Sequence, residues 1–252
     1  MNSFKGRIII AVIIALISIV TYFTSTEENP VTGEKQKVSL TVEQEIALGL
    51  QSAPQFKEQF GGLYPDGKLR GYVETVGRRL VDMTEAGKSP YEFKFHLLAD
   101  QQTVNAFALP GGQIFITYAL FNRLNSEDQL AGVLGHEIGH VINRHGAEHI
   151  AKQNLTEGLI RATDVATGNP NEISRFVGNM INMKYGRDDE FESDEYGVKY
   201  MAQANYNPEA MIEVMKILQE ASGGGEQPEF LSTHPNSENR IERLKEIIKQ
   251  YK

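Results

Sequence analysis

Apolar and polar positions follow three periods along this chain. Ile8 to Phe23 is an uncharged, mostly apolar run, IIIAVIIALISIVTYF, behind Lys5 and Arg7. Leu40 to Phe60 has a helical pattern with Val42, Ile46, Leu48, Leu50 and Phe56 apolar. Lys68 to Met83 sets Leu69, Tyr72, Val73, Val76, Leu80 and Val81 at helical spacing, which predicts an amphipathic helix. From Tyr91 to Leu98 the period falls to two, with Tyr91, Phe93, Phe95 and Leu97 on one face of a strand. Asn105 to Leu109 and Gln113 to Thr117, joined by Pro110-Gly111-Gly112, read as strand, turn, strand. A helix starts at Ser126. Beyond it the pattern predicts helices over Ala147–Leu159, Ile173–Met183, Asp188–Ala204, Glu209–Ala221 and Ser237–Tyr251. Gly168-Asn169-Pro170 and Gly223 to Gly225 are the breaks. The expected class is α+β: mostly helical, with a small sheet beside the Ser126 helix.

Length and charge narrow the picture. The 252 residues allow one good-sized domain with short appendages. A net charge of −8 argues against nucleic acid as a partner. The absence of cysteine excludes disulfides, thiolate metal sites and a cysteine nucleophile. The basic start and apolar run have the pattern of a signal anchor or signal peptide over residues 1–25. No clear cleavage site follows, which favours an uncleaved anchor. Lys5 and Arg7 would then stay in the cytoplasm, with the rest on the exported, periplasmic side; a cleaved, secreted form is the alternative. Residues 26–39 read as a polar linker with a turn, and 40–252 as the main domain.

The chemistry lies in LAGVLGHEIGHVINRH, Leu130 to His145. Residues four apart on a helix differ by about 40° in direction, so His136 and His140 project together and can hold one metal ion. Glu137, about 100° round from His136, can reach a water at that metal without being a ligand. Ser126 and Gln129 form a candidate capping box. Gly132, Gly135 and Gly139 are poor helix formers that close packing would explain. A catalytic zinc takes three protein ligands. The metzincin pattern fails, because Asn143 and Gly146 stand where its third His and its Gly would be. His145 and His149, if the helix continues, point 180–220° away from His136 and cannot join its metal. Glu190-Phe-Glu-Ser-Asp194 offers a later carboxylate, with Glu190 and Asp194 on one face and Glu192 pointing elsewhere. From spacing alone, this stretch is equally a solvated acidic face.

The sequence resembles the zinc metallopeptidase family that includes HtpX, BepA, the mitochondrial Oma-type proteases and the CAAX prenyl proteases. The likeness covers roughly Leu40 to the C-terminus. It rests on Asn105-Ala-Phe-Ala-Leu-Pro-Gly-Gly112, Leu124-Asn-Ser-Glu127, Gly135-His-Glu-Ile-Gly-His140, Arg187-x-x-Glu190-x-x-Ser-Asp194, and Ser232-Thr-His-Pro235 with Arg240. Ser193 departs from the usual Ala.

The resemblance implies a zincin-type fold, one Zn2+ per chain, Glu190 as the third ligand and Asp194 as the acceptor that orients a ligand imidazole. It also places His234 and Arg240 near the metal, as transition-state donors; His234 could instead fill the open metal position at rest. The expected activity is hydrolysis of peptide bonds in membrane-associated or exported proteins, in envelope quality control, with Glu137 as general base. A substrate peptide would add to an exposed strand edge at Asn105, Ala106 and Phe107, or at Gln113 to Thr117. The other reading is a metal-binding, chaperone-like envelope protein with little proteolysis.

Overall fold

The two-residue alternation from Tyr91 to Leu97 turns four large apolar side chains inward, and all four are buried. Only Lys94–Leu98 pairs as a strand (β3). Tyr91 and Phe93 extend the buried face upstream of the ladder. Ala106–Leu109 (β4) and Gln113–Thr117 (β5) complete a three-stranded sheet of order β3-β5-β4. β3 runs parallel to β5, with Phe95 opposite Ile114, while β4 runs antiparallel to β5, with Phe107 opposite Phe115. At the turn between β4 and β5, Gly111 has φ of +82°, and a Cβ there would lie 2.4 Å from Ile46 Cα. Glycine is therefore required both by conformation and by contact.

The structure is a computed structural model that describes residues 4–167, 185–221, 228–235 and 239–251. The expected helix over Ile173–Met183, its Gly168–Pro170 break and the Gly223–Gly225 loop lie outside the described residues. The other expected helices form: Val42–Gln59 (α2), Gly67–Asp82 (α3), Glu127–Ile142 (α5), His145–Thr167 (α6), Arg187–Gln203 (α7), Ala210–Ala221 (α8) and Arg240–Lys249 (α10). Two short helices, Tyr118–Phe121 (α4) and Glu229–Thr233 (α9), are too brief to leave a periodic signal.

These elements fall into two compact units. The first comprises residues 4–29, 33–41 and the α6 residues from Gly146. Its Phe4–Thr24 helix (α1) is long and apolar enough to cross a membrane, and its apolar side chains are mostly exposed. The segment read as a polar linker instead forms an antiparallel hairpin of Thr26–Glu28 (β1) and Lys35–Lys37 (β2). Its ends are tied by Asn29 Nδ2 donating to Gln36 Oε1 at 2.9 Å and by Lys37 Nζ donating to Phe23 O at 2.5 Å. Those side-chain bonds supply order that a charge pattern without apolar alternation does not predict.

The second unit holds the sheet and the remaining helices. Its centre is α5, in which every residue from Gln129 to Ile142 is buried. α3, α7, α8 and β4 pack around it, so a helix that is apolar on most sides finds cover on most sides. Ser126 Oγ caps its start by accepting from Gln129 N–H at 3.2 Å. Gln129 Oε1 returns not to Ser126 but to Asn125 N–H at 2.7 Å. Gly135 and Gly139 of α5 face α7. A Cβ on Gly135 would sit 3.3 Å from Gly197 O, and one on Gly139 would sit 2.9 Å from Ser193 O. The two helices thus approach backbone to backbone, which sets the distance between the side chains that follow.

Candidate metal centre

That close crossing brings His136 and His140 of α5 against Glu190 and Asp194 of α7. His136 Nε2 and His140 Nε2 lie 3.1 Å apart. Glu190 Oε2 is 3.6 Å from the first, and Oε1 is 3.4 Å from the second. His234, at the end of α9, adds its Nδ1 at 3.3 Å from His136 Nε2 and 2.9 Å from Glu190 Oε1. One ligand atom from each of these four residues lies within 4.8 Å of all the others, and all four residues are buried. Two imidazole Nε2 atoms, one imidazole Nδ1 and a carboxylate converging in a buried site can hold a metal ion, and this donor set suits zinc.

The charge states of His140, Glu190 and Asp194 agree with that use. Burial holds the His140 imidazole well below its usual pKa, leaving it neutral, as a ligand must be. Burial raises Glu190, but His234 and Arg240 outweigh it and keep the carboxyl well below the usual range. Burial likewise opposes Asp194, and Arg240 again wins, so Asp194 is an anion. Asp194 Oδ1 stands 3.0 Å from His136 Nδ1. An anionic acceptor there requires Nδ1 to carry the proton, which frees Nε2 toward the centre.

Arg240 lies against the two carboxylates of α7. Its Nε and Nη2 donate to Asp194 Oδ2 and Oδ1 at 2.7 and 2.8 Å, and its Nη1 pairs with Glu190 Oε2 at 2.7 Å. Its Nε and Nη2 are thus bonded to Asp194, while Nη1, close to Glu190 Oε2, makes no hydrogen bond. Glu137 is the opposite case. Both its oxygens are buried with no hydrogen-bond partner. His234 Nε2, also unpartnered, is 3.7 Å from Glu137 Oε1. Burial raises the Glu137 pKa against the pull of His234 and His136. For His234, burial works downward, and Glu190 and Glu137 together outweigh it, so the imidazole is raised.

The two candidate substrate strands sit differently in the sheet. β5 is central, with β3 on one side and β4 on the other, so Gln113 to Thr117 has no free edge. β4, beside α5, is an outer strand. Asn105 lies just before it, its N–H donating to Thr117 Oγ1 and its carbonyl accepting from Thr117 N–H. Its side-chain Oδ1 is buried without a partner. Ala106 is buried, and Phe107 stacks on Phe115. Arg187 stays at the surface in an exposed pair with Asp188, where an ion pair contributes little.

Two residues of the centre were missed by sequence reasoning. Tyr185 stacks on His140 with ring centroids 3.9 Å apart. It lies two residues outside the Arg187 motif and carries no spacing signal. His145 does not point away from the site. The helix stops at Ile142, Asn143 caps it, and Arg144 takes the left-handed conformation with φ of 56°. This reversal returns His145 to His140, with their Nδ1 atoms 2.9 Å apart. What holds Arg144 there is Glu45 of α2, which accepts from its Nε at 2.8 Å and from Tyr91 Oη at 3.1 Å. His145 is not among the four converging residues, and neither is His149, half-buried on α6.

The sequence profile of peptidase family M48 matches residues 68–248. A mitochondrial metalloendopeptidase OMA1 from Schizosaccharomyces pombe is 29% identical over 235 residues, spanning 91% of this chain and 68% of that protein. The mitochondrial metalloendopeptidase OMA1 of Bos taurus is 31% identical over 253 residues, spanning 93% of this chain and 48% of its own length. The beta-barrel assembly-enhancing protease of Escherichia coli K12 is 29% identical over 229 residues, at 86% and 46%. This chain therefore spans about half the length of the bovine and E. coli proteins.

Proposed function

The chain belongs to peptidase family M48, and from that membership we propose that it is a zinc-dependent endopeptidase with Glu137 as its general base. One observation carries this reading: a carboxylate buried bare beside a set of converging ligands. Burying an anion without hydrogen bonds costs several kcal/mol. A purely structural metal site or a chaperone-like protein gains nothing from that expense. In a hydrolase the bare oxygens are reserved for a proton that arrives with the reaction.

His136, His140 and Glu190 would hold the ion. When bound, zinc would polarise the scissile carbonyl and acidify a water. Glu137 takes the proton from the attacking water and returns it to the leaving amine. Asp194 and Arg240 fix the ligands, and Tyr185 packs the His140 ring. The outer edge of β4 is where an extended substrate would pair, with Asn105 Oδ1 as an unspent acceptor. The α1 helix would tether the enzyme in a membrane, with Lys5 and Arg7 in the cytoplasm and the catalytic unit on the exported side. The name of the E. coli relative supports substrates among envelope proteins.

The test is zinc content with hydrolysis of casein as an unfolded substrate. One zinc per chain is expected. Chelation is expected to stop degradation, and added zinc to restore it. Degradation that survives complete zinc removal would overturn the reading.

His234 would complete a four-ligand set, which supports a resting role for it: it would help to hold the metal when no substrate is bound. His234→Ala is then expected to keep one zinc per chain, bound about 10-fold more weakly, while casein turnover rises several-fold. A fall in turnover of a hundredfold with zinc retained would instead make His234 a transition-state donor.

A further inference from the structure

The two ligand imidazoles of α5 are held from behind by different partners. His136 Nδ1 faces Asp194, whereas His140 Nδ1 faces His145 Nδ1 at 2.9 Å. On its far side, His145 Nε2 faces Glu192 Oε2 at 3.0 Å. His145 is buried, and the Glu192 side chain is a third exposed at the rim. Ser193 Oγ lies 3.3 Å from the same His145 Nδ1.

From these contacts we propose that His145 is a positioning residue for the ligand His140, working as the middle of a His140–His145–Glu192 relay. The proposal rests on the metal reading above. With His140 Nε2 kept free for the metal, one arrangement of protons satisfies the contacts along His140, His145 and Glu192. His140 Nε2 faces the converging ligands and must keep its lone pair there, so His140 Nδ1 carries the proton and donates it. His145 Nδ1 must then be the acceptor, which places the His145 proton on Nε2, where Glu192 accepts it. Reversing the first hydrogen bond would put the His140 proton on Nε2 and remove it as a ligand through that atom.

The choice of a neutral imidazole follows from the charge already present. Glu137, Glu190 and Asp194 are three buried carboxyls, and Arg240 is the guanidinium that pairs with Glu190 and Asp194. A divalent ion would help to offset that negative charge. A further carboxylate directly behind His140 would add an uncompensated buried charge. His145 passes the hydrogen bond outward instead, to a carboxylate that water reaches. The Arg144 reversal, tied down by Glu45, is what makes the relay possible from a position only five residues past His140.

The test compares zinc affinity by chelator competition in the full chain, with the wild type as reference. His145→Leu keeps an apolar side chain of similar bulk but cannot accept, and is expected to weaken zinc binding 10- to 100-fold. His145→Asn sets a carbonyl oxygen where Nδ1 was, and is expected to return affinity to within threefold of wild type. A His145→Leu protein that binds zinc as the wild type does, or a His145→Asn protein as weak as His145→Leu, overturns the relay. A wild type that takes up no zinc overturns the metal reading itself, and the relay with it. Imidazole 15N spectra of the zinc-loaded wild type give a check that needs no variant. His145 is expected to be protonated at Nε2 and bare at Nδ1, and a proton on Nδ1 would refute the proposal.

Discussion

Glu137→Gln is expected to lower casein hydrolysis by about 10³-fold, within the usual range for loss of a general base, while the protein stays folded and keeps one zinc. The substitution is nearly isosteric. It removes the one carboxylate in the centre with no partner to lose: both Glu137 oxygens are buried and unbonded. Fold and metal set therefore have little reason to change. Melting temperature should hold or rise, because a neutral amide costs less to bury than a bare anion. Retained zinc with lost turnover separates base from ligand. If Glu137→Gln degrades casein as the wild type does, the base is elsewhere. If neither does, under conditions where zinc is bound, the chaperone-like reading gains the support that the bare carboxylate now denies it.

Much of this centre was legible in the chain because three of its four converging residues sit on helices, and helices have a fixed period. His136 and His140 follow from four-residue spacing, and Glu190 and Asp194 share a face for the same reason. Spacing alone did not distinguish Glu190 from an exposed acidic residue; its burial against Arg240 does. The period failed where the helix ended. Projecting α5 past Ile142 sends His145 away from the metal. The chain instead reverses at Arg144, a residue with no intrinsic preference for positive φ, because a guanidinium is drawn to Glu45, ninety-nine positions earlier. A long-range ion pair of that kind leaves no local pattern. Arg240 shows the same limit: its presence near the site was readable, but its commitment to two carboxylates came only with distances. The hairpin at β1 and β2 was missed for a related reason, since its order comes from side-chain bonds rather than from an apolar face.

The glycines of α5 carry the other large prediction. Gly139→Val is expected to cost about 3 kcal/mol, at the upper end of overpacking penalties, and to leave zinc well below one per chain. A Cβ at Gly139 would stand 2.9 Å from Ser193 O and 3.0 Å from Ser193 Cα. Both are backbone atoms of α7, which cannot swing aside as a side-chain tip can. Relief requires the two helices to part. Glu190 and Asp194 ride on α7, so parting the helices also draws the proposed third ligand and the His136 acceptor away from α5. Stability and metal binding should thus fall together, with a melting temperature lower by roughly 6–12 °C for a chain of this size. Gly132→Ala is the contrast. Its Cβ would meet Met211 Cγ at 3.1 Å and Met201 Sδ at 3.6 Å, flexible side chains that can yield. Alanine is also the better helix former, by up to about 1 kcal/mol. That variant is expected to stay within about 1 kcal/mol of wild type and to keep its zinc. Equal losses in both variants would mean that glycine serves general helix packing. Loss in Gly139→Val alone ties the spacing of α5 and α7 to the metal ligands, and makes the poor helix formers of the motif the residues that set the size of the site.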